Sequence, residues 1–245
     1  MSDALRARMT PAALSPDWFE RVNRLAIIAA LVPGTVHDVN NALQVISGSA
    51  ELLGMAAGGA AEQITRRGLA ISEQARRATG SLAELTQLVR DASEGVQRFS
   101  LKELADRAVV LRQHALRKGK IEAAVDGVDV AVRANPRQLL QVVLNLVLNA
   151  ERAVAGRSGA HVQVTTARAD GRATLTVSDN GDGVSEALRT TLFAEPTSAG
   201  RDLPQHLGIG LFVSSALAAR NGGQLSYTPT ATGGSAFTLA LAAAV

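Results

Sequence analysis

A histidine, a carboxylate and an amide lie close together in this chain of 245 residues, at His37, Asp38 and Asn41. In a helix, His37 and Asn41 share one face, because residues four apart lie one above the other, and Asp38 points to a neighbouring face. An unprotonated imidazole nitrogen can attack a phosphorus atom, and a carboxylate beside it can fix the tautomer or accept a proton. Asn41 would position the phosphoryl group or a water. Taken alone, the cluster is more typical of a solvated surface histidine.

Two polar clusters in the C-terminal half carry groups that can bind a metal ion or let a ligand approach the backbone. Asn145 and Asn149 lie one helical turn apart in the segment NLVLNA, and an amide oxygen is a suitable ligand for Mg²⁺. Asp179 opens the segment DNGDG, in which Gly181 and Gly183 permit positive φ and a close approach of backbone to a ligand. Separately, these clusters also fit asparagines near loops and an ordinary turn after a strand.

A third cluster, GIGL, contains Gly208, Gly210 and Leu211 at the start of the last predicted helix. Backbone N–H groups at a helix N-terminus suit phosphate. The stretch before it is rich in loop-forming residues and carries Phe193 and Arg201. Separately, each of the three clusters is a weak signal.

In this order, the motifs resemble those of two-component sensor histidine kinases over roughly residues 20–240. The stretch GTVHDVNNALQVISGSAELL resembles the phosphoacceptor box, NLVLNA the asparagine box, and DNGDG and GIGL the two glycine boxes. The resemblance implies that His37 takes the γ-phosphoryl group of ATP and passes it to an Asp of a response-regulator receiver domain. It also implies that Asn149 binds Mg²⁺, that Asn145 belongs to the ATP site, and that Asp179 accepts a hydrogen bond from the adenine amino group.

The same resemblance predicts a mobile ATP lid between the two glycine boxes. Phe193 would match the family's phenylalanine box, and Arg201 is the candidate phosphate contact. The lid is short, and His206 stands where the family often has the first glycine of the second box.

Two alternatives remain open from the sequence. A histidine phosphotransfer or scaffold protein with degenerate ATP binding is favoured by His206 and the short lid, and opposed by Asn149 and the DNGDG segment. A GHKL ATPase without histidine chemistry is opposed by Asn145, since related ATPases carry there a glutamate that activates water, and an amide is no general base.

The elements that must position these residues divide the chain into a lead-in (1–16), a helical domain (17–95) and a catalytic ATP-binding domain (96–245). Ser15 should cap the first helix, with Pro16 in its first turn and a kink at Pro33. Helical periodicity covers 18–57 and 61–92, with a break at Gly58-Gly59. Because a helical hairpin cannot enclose a core alone, we predict a homodimeric four-helix bundle that serves as dimerisation and phosphoacceptor domain.

The C-terminal pattern predicts an α+β fold, with one mixed sheet covered by helices. The resemblance implies the two-layer sandwich of the GHKL or Bergerat type. The predicted strands are 96–101, near 120–125 and 128–132, 161–168, 172–178, 224–227 and 236–240, and the predicted helices are 101–118, 135–156 and 207–221.

The composition of the chain excludes several kinds of site and indicates its compartment. The chain has no cysteine, which excludes disulfides and thiolate metal sites and favours a reducing compartment. It shows no apolar run long enough for a membrane span and no signal-peptide core, so we expect a cytoplasmic protein. The net charge of +3 is spread along the chain, which argues against nucleic-acid binding. Since the lead-in is too short for a sensor domain, we expect input from a separate sensor protein, unless the chain is an excised segment.

Overall fold

The structure, a computed structural model, describes residues 15–55, 61–89, 95–194 and 209–244. These residues form two compact units, one of residues 28–89 and one that joins residues 15–27 to residues 95–244. The sequence predicted that the helical domain begins at residue 17, whereas the compact helical unit begins at residue 28. The boundaries differ because the first turns of the first helix pack with the C-terminal elements.

The N-terminal part of the chain forms two long helices, which are α1 (Pro16–Met55) and α2 (Ala61–Val89). Ser15 caps α1 as predicted, since its Oγ and its carbonyl oxygen accept from Trp18 N at 3.2 and 2.9 Å. The helix continues through Pro33. The predicted break at Gly58-Gly59 lies outside the described residues. Within those residues, no helix is both long and apolar enough to cross a bilayer.

The C-terminal unit confirms the α+β prediction. Its helices are α3 (Leu101–Lys118), α4 (Pro136–Ala153), α5 (Glu186–Arg189) and α6 (Gly210–Arg220). Its strands are β1 (Gln97–Ser100), β2 (Glu122–Gly127), β3 (Ala131–Ala134), β4 (His161–Ala169), β5 (Arg172–Asp179), β6 (Gln224–Pro229) and β7 (Ser235–Ala242). The main sheet has the order β2-β4-β5-β7-β6 and is mixed, because β2 pairs parallel to β4 and the other pairs are antiparallel.

The prediction of a single sheet was wrong. Strands β1 and β3 pair with each other in a separate antiparallel ribbon. The chain leaves the main sheet at Gly127, whose φ is +102°, and Val128 N still donates to Thr166 O at 3.0 Å before β3 begins. A positive φ favours glycine, so this residue ends β2 and lets β3 turn away.

Helix α4 forms the centre of the unit and is buried along most of its length. Asn135 caps it, because its Oδ1 accepts from the backbone N–H groups of Arg137 and Gln138 at 3.1 Å. On the α3 side, Arg112 forms a two-pronged, nearly buried ion pair with Glu151, with N···O distances of 2.8 and 2.7 Å. These contacts fix the helix that carries Asn145 and Asn149.

Candidate active site

The histidine cluster lies on the solvent-exposed surface of α1. Asn41 Nδ2 lies 3.1 Å from His37 Nδ1, which confirms that the two side chains share a helix face. Asp38 Oδ1 lies 3.5 Å from the same nitrogen, and the side chains of His37 and Asp38 are 50% and 57% exposed. An exposed imidazole between a carboxylate and an amide is accessible to a phosphoryl donor.

The two neighbours of His37 favour opposite tautomers. A carboxylate only accepts, so Asp38 favours a proton on Nδ1 and leaves the Nε2 lone pair for attack. The Asn41 Nδ2–H group donates to an unprotonated Nδ1 and thus favours a proton on Nε2. Of these two contacts, the one with Asp38 is the one that favours an unprotonated Nε2.

Asp179 ends β5 and forms the anchor of the first glycine box. Its side chain is buried, and Oδ1 accepts from Gly181 N at 2.8 Å and Ser235 N at 3.3 Å. Burial raises the pKa of the Asp179 carboxyl, while the two backbone hydrogen bonds and the Arg157 charge oppose that rise. Among the described residues, Oδ2 makes no hydrogen bond, so it can accept one from a ligand.

Close packing against neighbouring backbone explains why glycine occupies these positions of the box. A Cβ on Gly181 would lie 2.5 Å from Ala153 O, and one on Gly183, where φ is +69°, would lie 2.4 Å from Gly233 O. Gly234 is tighter still, since its Cβ would lie 1.9 Å from Asp179 O. Loop 181–183, the end of α4 and the turn before β7 therefore meet with their backbones in contact around Asp179.

Helix α4 brings the two glycine boxes together. Its C-terminal end abuts Gly181, while Asn145 Nδ2, two turns earlier, donates to Gly210 O at 3.2 Å. Between these points lies Asn149, which is half-buried and whose Oδ1 accepts from Arg152 Nη1 at 3.2 Å. Desolvation by burial lowers the pKa of the Arg152 guanidinium. An amide oxygen already paired with a cationic side chain keeps a second lone pair for a metal ion.

Asn145 makes contacts that the sequence did not predict. Its amide bonds reciprocally with the amide of Asn23, with both N···O distances 2.9 Å, and Nδ2 also lies 3.0 Å from Ser214 Oγ. The only sequence signal for Asn23 is its place in the stripe Phe19, Asn23, Ile27, where a polar residue replaces an apolar one at a four-residue step. A buried amide in such a stripe indicates a polar partner.

The structure describes only some of the remaining predicted site residues. Gly210 and Leu211 open α6, and Phe193 lies half-buried in the turns after α5. Arg201, His206 and Gly208 lie outside the described residues. Sequence reasoning also missed Tyr227, whose hydroxyl oxygen accepts from Val184 N at 3.3 Å beside the first glycine box.

A mixed sheet covered by helices, with an asparagine-bearing helix between two glycine boxes, defines a GHKL-type ATP-binding domain. Residues 134–245 match the model of the histidine kinase-, DNA gyrase B- and HSP90-like ATPase family. Over most of its length, the chain is also homologous to sensor histidine kinases.

Two curated relatives show the extent of this homology. Sensor histidine kinase ZraS of Escherichia coli K12 is 27% identical over 230 residues, which cover 92% of this chain and 48% of ZraS. The C4-dicarboxylate transport sensor protein DctB of Rhizobium meliloti is 28% identical over 223 residues, which cover 84% of this chain and 33% of DctB. The chain thus spans about half or less of the length of these relatives.

Solved structures show the same fold. The nucleotide-free catalytic domain of histidine kinase ThkA superposes with a TM-score of 0.54 at 22% identity, covering 61% of this chain and 97% of that domain. Histidine kinase AdeS of Acinetobacter baumannii gives a TM-score of 0.50 at 19% identity and covers 84% of this chain and 97% of its own.

Proposed function

We propose that this protein is an ATP-dependent protein-histidine kinase that phosphorylates its own His37. The observation that carries the proposal is the exposed His37–Asp38–Asn41 cluster in a chain whose other unit is an ATP-binding domain. The homology to sensor histidine kinases supports it, since it extends over both units. ATP and Mg²⁺ are abundant in the cytoplasm, and we propose that the kinase acts there.

The reaction consists of two phosphoryl transfers. The Nε2 lone pair of His37 attacks the γ-phosphorus, the bond from that phosphorus to the bridging oxygen breaks, and ADP leaves with the electron pair. The N–P bond then breaks as a carboxylate oxygen of an Asp on a response-regulator receiver domain attacks the same phosphorus. Asp38 holds the proton on Nδ1 so that Nε2 stays nucleophilic. Phosphoryl transfer depends on positioning and charge neutralisation more than on covalent chemistry by the protein.

Asn149 is the residue we propose as the protein ligand of Mg²⁺. The residue is half-buried, and the fit rests on its Oδ1, a hard oxygen donor with one lone pair engaged by Arg152. The ion would neutralise charge on the phosphates. Asp179 would accept from the adenine amino group through Oδ2, and Gly210 and Leu211 would offer backbone N–H groups to phosphate.

Incubation with γ-labelled ATP and Mg²⁺ tests this function. We expect label that is stable to base and labile to acid, as a phosphohistidine is, in the wild type and in the matched variant His161→Gln. His37→Ala should carry none. If wild type takes no label and binds no nucleotide, the kinase proposal fails and a phosphotransfer or scaffold role with degenerate ATP binding replaces it. If Asn149→Ala labels as fast as wild type, the magnesium assignment is wrong.

A second proposal concerns assembly. We propose that the helical unit forms a homodimeric bundle through a stripe of apolar residues on α1 that recurs at alternating steps of four and three. Such a repeat, 3.5 residues on average, is the signature of helices that pack along a common seam. The members are exposed or half-buried in the single chain and comprise Val32, Val36, Val39, Leu43, Ile46, Ala50 and Leu53. Water contact with so many aliphatic side chains is costly unless a second copy covers them.

A charge placed in this stripe should separate the protomers. Leu43 is 50% exposed in the single chain, so Leu43→Asp costs a monomer little, whereas in a dimer seam it buries an unpaired carboxylate. We expect at least about a tenfold rise in the dimer dissociation constant, measured by sedimentation equilibrium. Gln44→Asp adds the same charge at a neighbouring exposed position and should leave the constant unchanged. A wild-type protein that is monomeric at micromolar concentration would rule out the dimer.

A further inference from the structure

The start of α1 is bound to the ATP-binding domain through a buried amide cluster. Asn23 is 4% exposed, and its Oδ1 accepts from Gln141 Nε2 at 2.8 Å and from Asn145 Nδ2 at 2.9 Å. Its own Nδ2 donates to Asn145 Oδ1 at 2.9 Å. A buried primary amide that satisfies both its oxygen and its nitrogen in this way is bound in one orientation, because any displacement would leave several polar groups unpaired.

The same segment contacts helix α6 near its beginning and at its end. Phe19 packs edge-on against Phe212, with ring centroids 5.4 Å apart. At the other end of α6, Arg220 pairs with Asp17 at 3.0 Å and with Glu20 at 2.6 Å. We name residues 17–23 the docking segment.

Asn145 connects the docking segment to the first residue of α6. Its Nδ2 has three acceptors within hydrogen-bond distance, on Asn23, Ser214 and Gly210, the last through the backbone carbonyl at 3.2 Å. The amide is therefore fully engaged within the protein. Because Asn23 fixes the amide of Asn145, it also fixes the donor that contacts Gly210, the residue of the second glycine box at which α6 begins.

We propose that Asn23 is a positioning residue for nucleotide binding, acting through Asn145 and α6. The docking segment holds the helix whose first backbone N–H groups would face the phosphates, so the site is organised before the ligand arrives. Pre-organisation raises affinity because less ordering remains to be done on binding. The proposal rests on the nucleotide-binding part of the proposed function and is independent of phosphorylation at His37.

Regulation of ATP affinity follows from this coupling. If docking strengthens nucleotide binding, then bound nucleotide strengthens docking by the same factor, because linkage between two equilibria is reciprocal. An input that pulls the start of α1 away from α4 and α6 would lower the affinity for ATP. The docking segment would thus be the place where the N-terminal helix controls the ATP-binding domain.

The first test removes the amide of Asn23 while keeping its size. Asn23→Leu leaves the Gln141 and Asn145 amides without their partner, and we expect about a tenfold rise in the dissociation constant of a non-hydrolysable ATP analogue with Mg²⁺, measured by calorimetry. In kinase assays, KM for ATP should rise more than the rate at saturating ATP falls. Asn23→Asp keeps both accepted hydrogen bonds, but Oδ2 replaces Nδ2 and faces the acceptor Asn145 Oδ1, so this variant should also bind the analogue more weakly than wild type.

A matched control and a wild-type measurement complete the test. Arg21→Ala alters an exposed side chain within the docking segment and should bind the analogue as wild type does. Should Asn23→Leu fail to fold, the single tryptophan of the chain, Trp18, reports on docking in the wild type, since its ring lies 5.2 Å from that of Phe19. We expect saturating analogue to reduce acrylamide quenching of Trp18 fluorescence. The proposal is overturned if folded Asn23→Leu binds the analogue as tightly as wild type, or if quenching stays constant while calorimetry shows binding.

Discussion

Replacing Asp179 by asparagine is expected to weaken binding of adenine nucleotides by about a hundredfold or more while the fold stays intact. A site built to hydrogen-bond a polar group strongly rejects a mismatch, because buried polar atoms are then left unpaired. In Asp179→Asn, the amide oxygen can keep the hydrogen bonds from Gly181 and Ser235. Nδ2 then replaces Oδ2, so two donors, the amide and the adenine amino group, face each other. Calorimetric titration with ADP measures the loss.

The same variant should be as stable as wild type at neutral pH, or more stable. Burial is the largest influence on the Asp179 carboxyl and raises its pKa. When the pKa in the folded state exceeds that in the unfolded state, the folded state binds more protons in between, and stability falls as pH rises through that interval. The asparagine variant lacks this penalty. Its advantage in urea denaturation should therefore shrink as the pH is lowered towards the ordinary range of an aspartate.

A matched substitution and a second nucleotide sharpen this prediction. Asp170→Asn makes the same change in the β4–β5 hairpin and should leave ADP affinity unchanged. Inosine triphosphate carries an acceptor oxygen in place of the adenine amino group, so the variant should lose less affinity for it than for ATP. Equal ADP affinity in wild type and Asp179→Asn would show that Oδ2 does not contact the base.

Elements with a strong local pattern could be predicted from the sequence. Ser15 before Pro16, and Asn135 before Pro136, mark helix starts because a capping side chain and a proline without an N–H group both suit the first turn. The alternation across 161–168 and 172–178, joined at Ala169-Asp170-Gly171, predicts a hairpin, and β4 and β5 pair there in register. The helix face shared by His37 and Asn41 follows from their spacing alone, although the roles assigned to them remain predictions.

Features that depend on distant contacts could not be predicted. Spacing placed Asn145 and Asn149 on one face, yet the amide of Asn145 is engaged by Asn23, which lies 122 residues away in sequence. The separate β1–β3 ribbon follows from a turn at Gly127 that strand propensity does not reveal. Likewise, DNGDG predicts close backbone approach, but it does not reveal that Ala153 and Gly233 are the residues that approach Gly181 and Gly183.

Asp38→Asn is expected to slow phosphorylation of His37 by about a hundredfold to a thousandfold, within the range for loss of a general base. The carboxylate that lies 3.5 Å from His37 Nδ1 is the group that favours a proton on that nitrogen. Without it, donation from Asn41 Nδ2 at 3.1 Å favours the opposite tautomer, whose Nε2 carries the proton and cannot attack. Single-turnover labelling at saturating ATP measures the rate, and calorimetry should show unchanged nucleotide affinity.

The competing amide makes this prediction specific. Because Asn41 favours the unreactive tautomer once the carboxylate is gone, the double variant Asp38→Asn/Asn41→Ala should label faster than Asp38→Asn alone. If Asp38 and Asn41 both simply assisted the reaction, the double variant would instead label more slowly than Asp38→Asn. Glu51→Gln, a carboxylate-to-amide change at an exposed position on the same helix, should label at the wild-type rate. If Asp38→Asn also labels at the wild-type rate, then another group holds the proton on His37 Nδ1. In that case His37 accepts the phosphoryl group without help from Asp38.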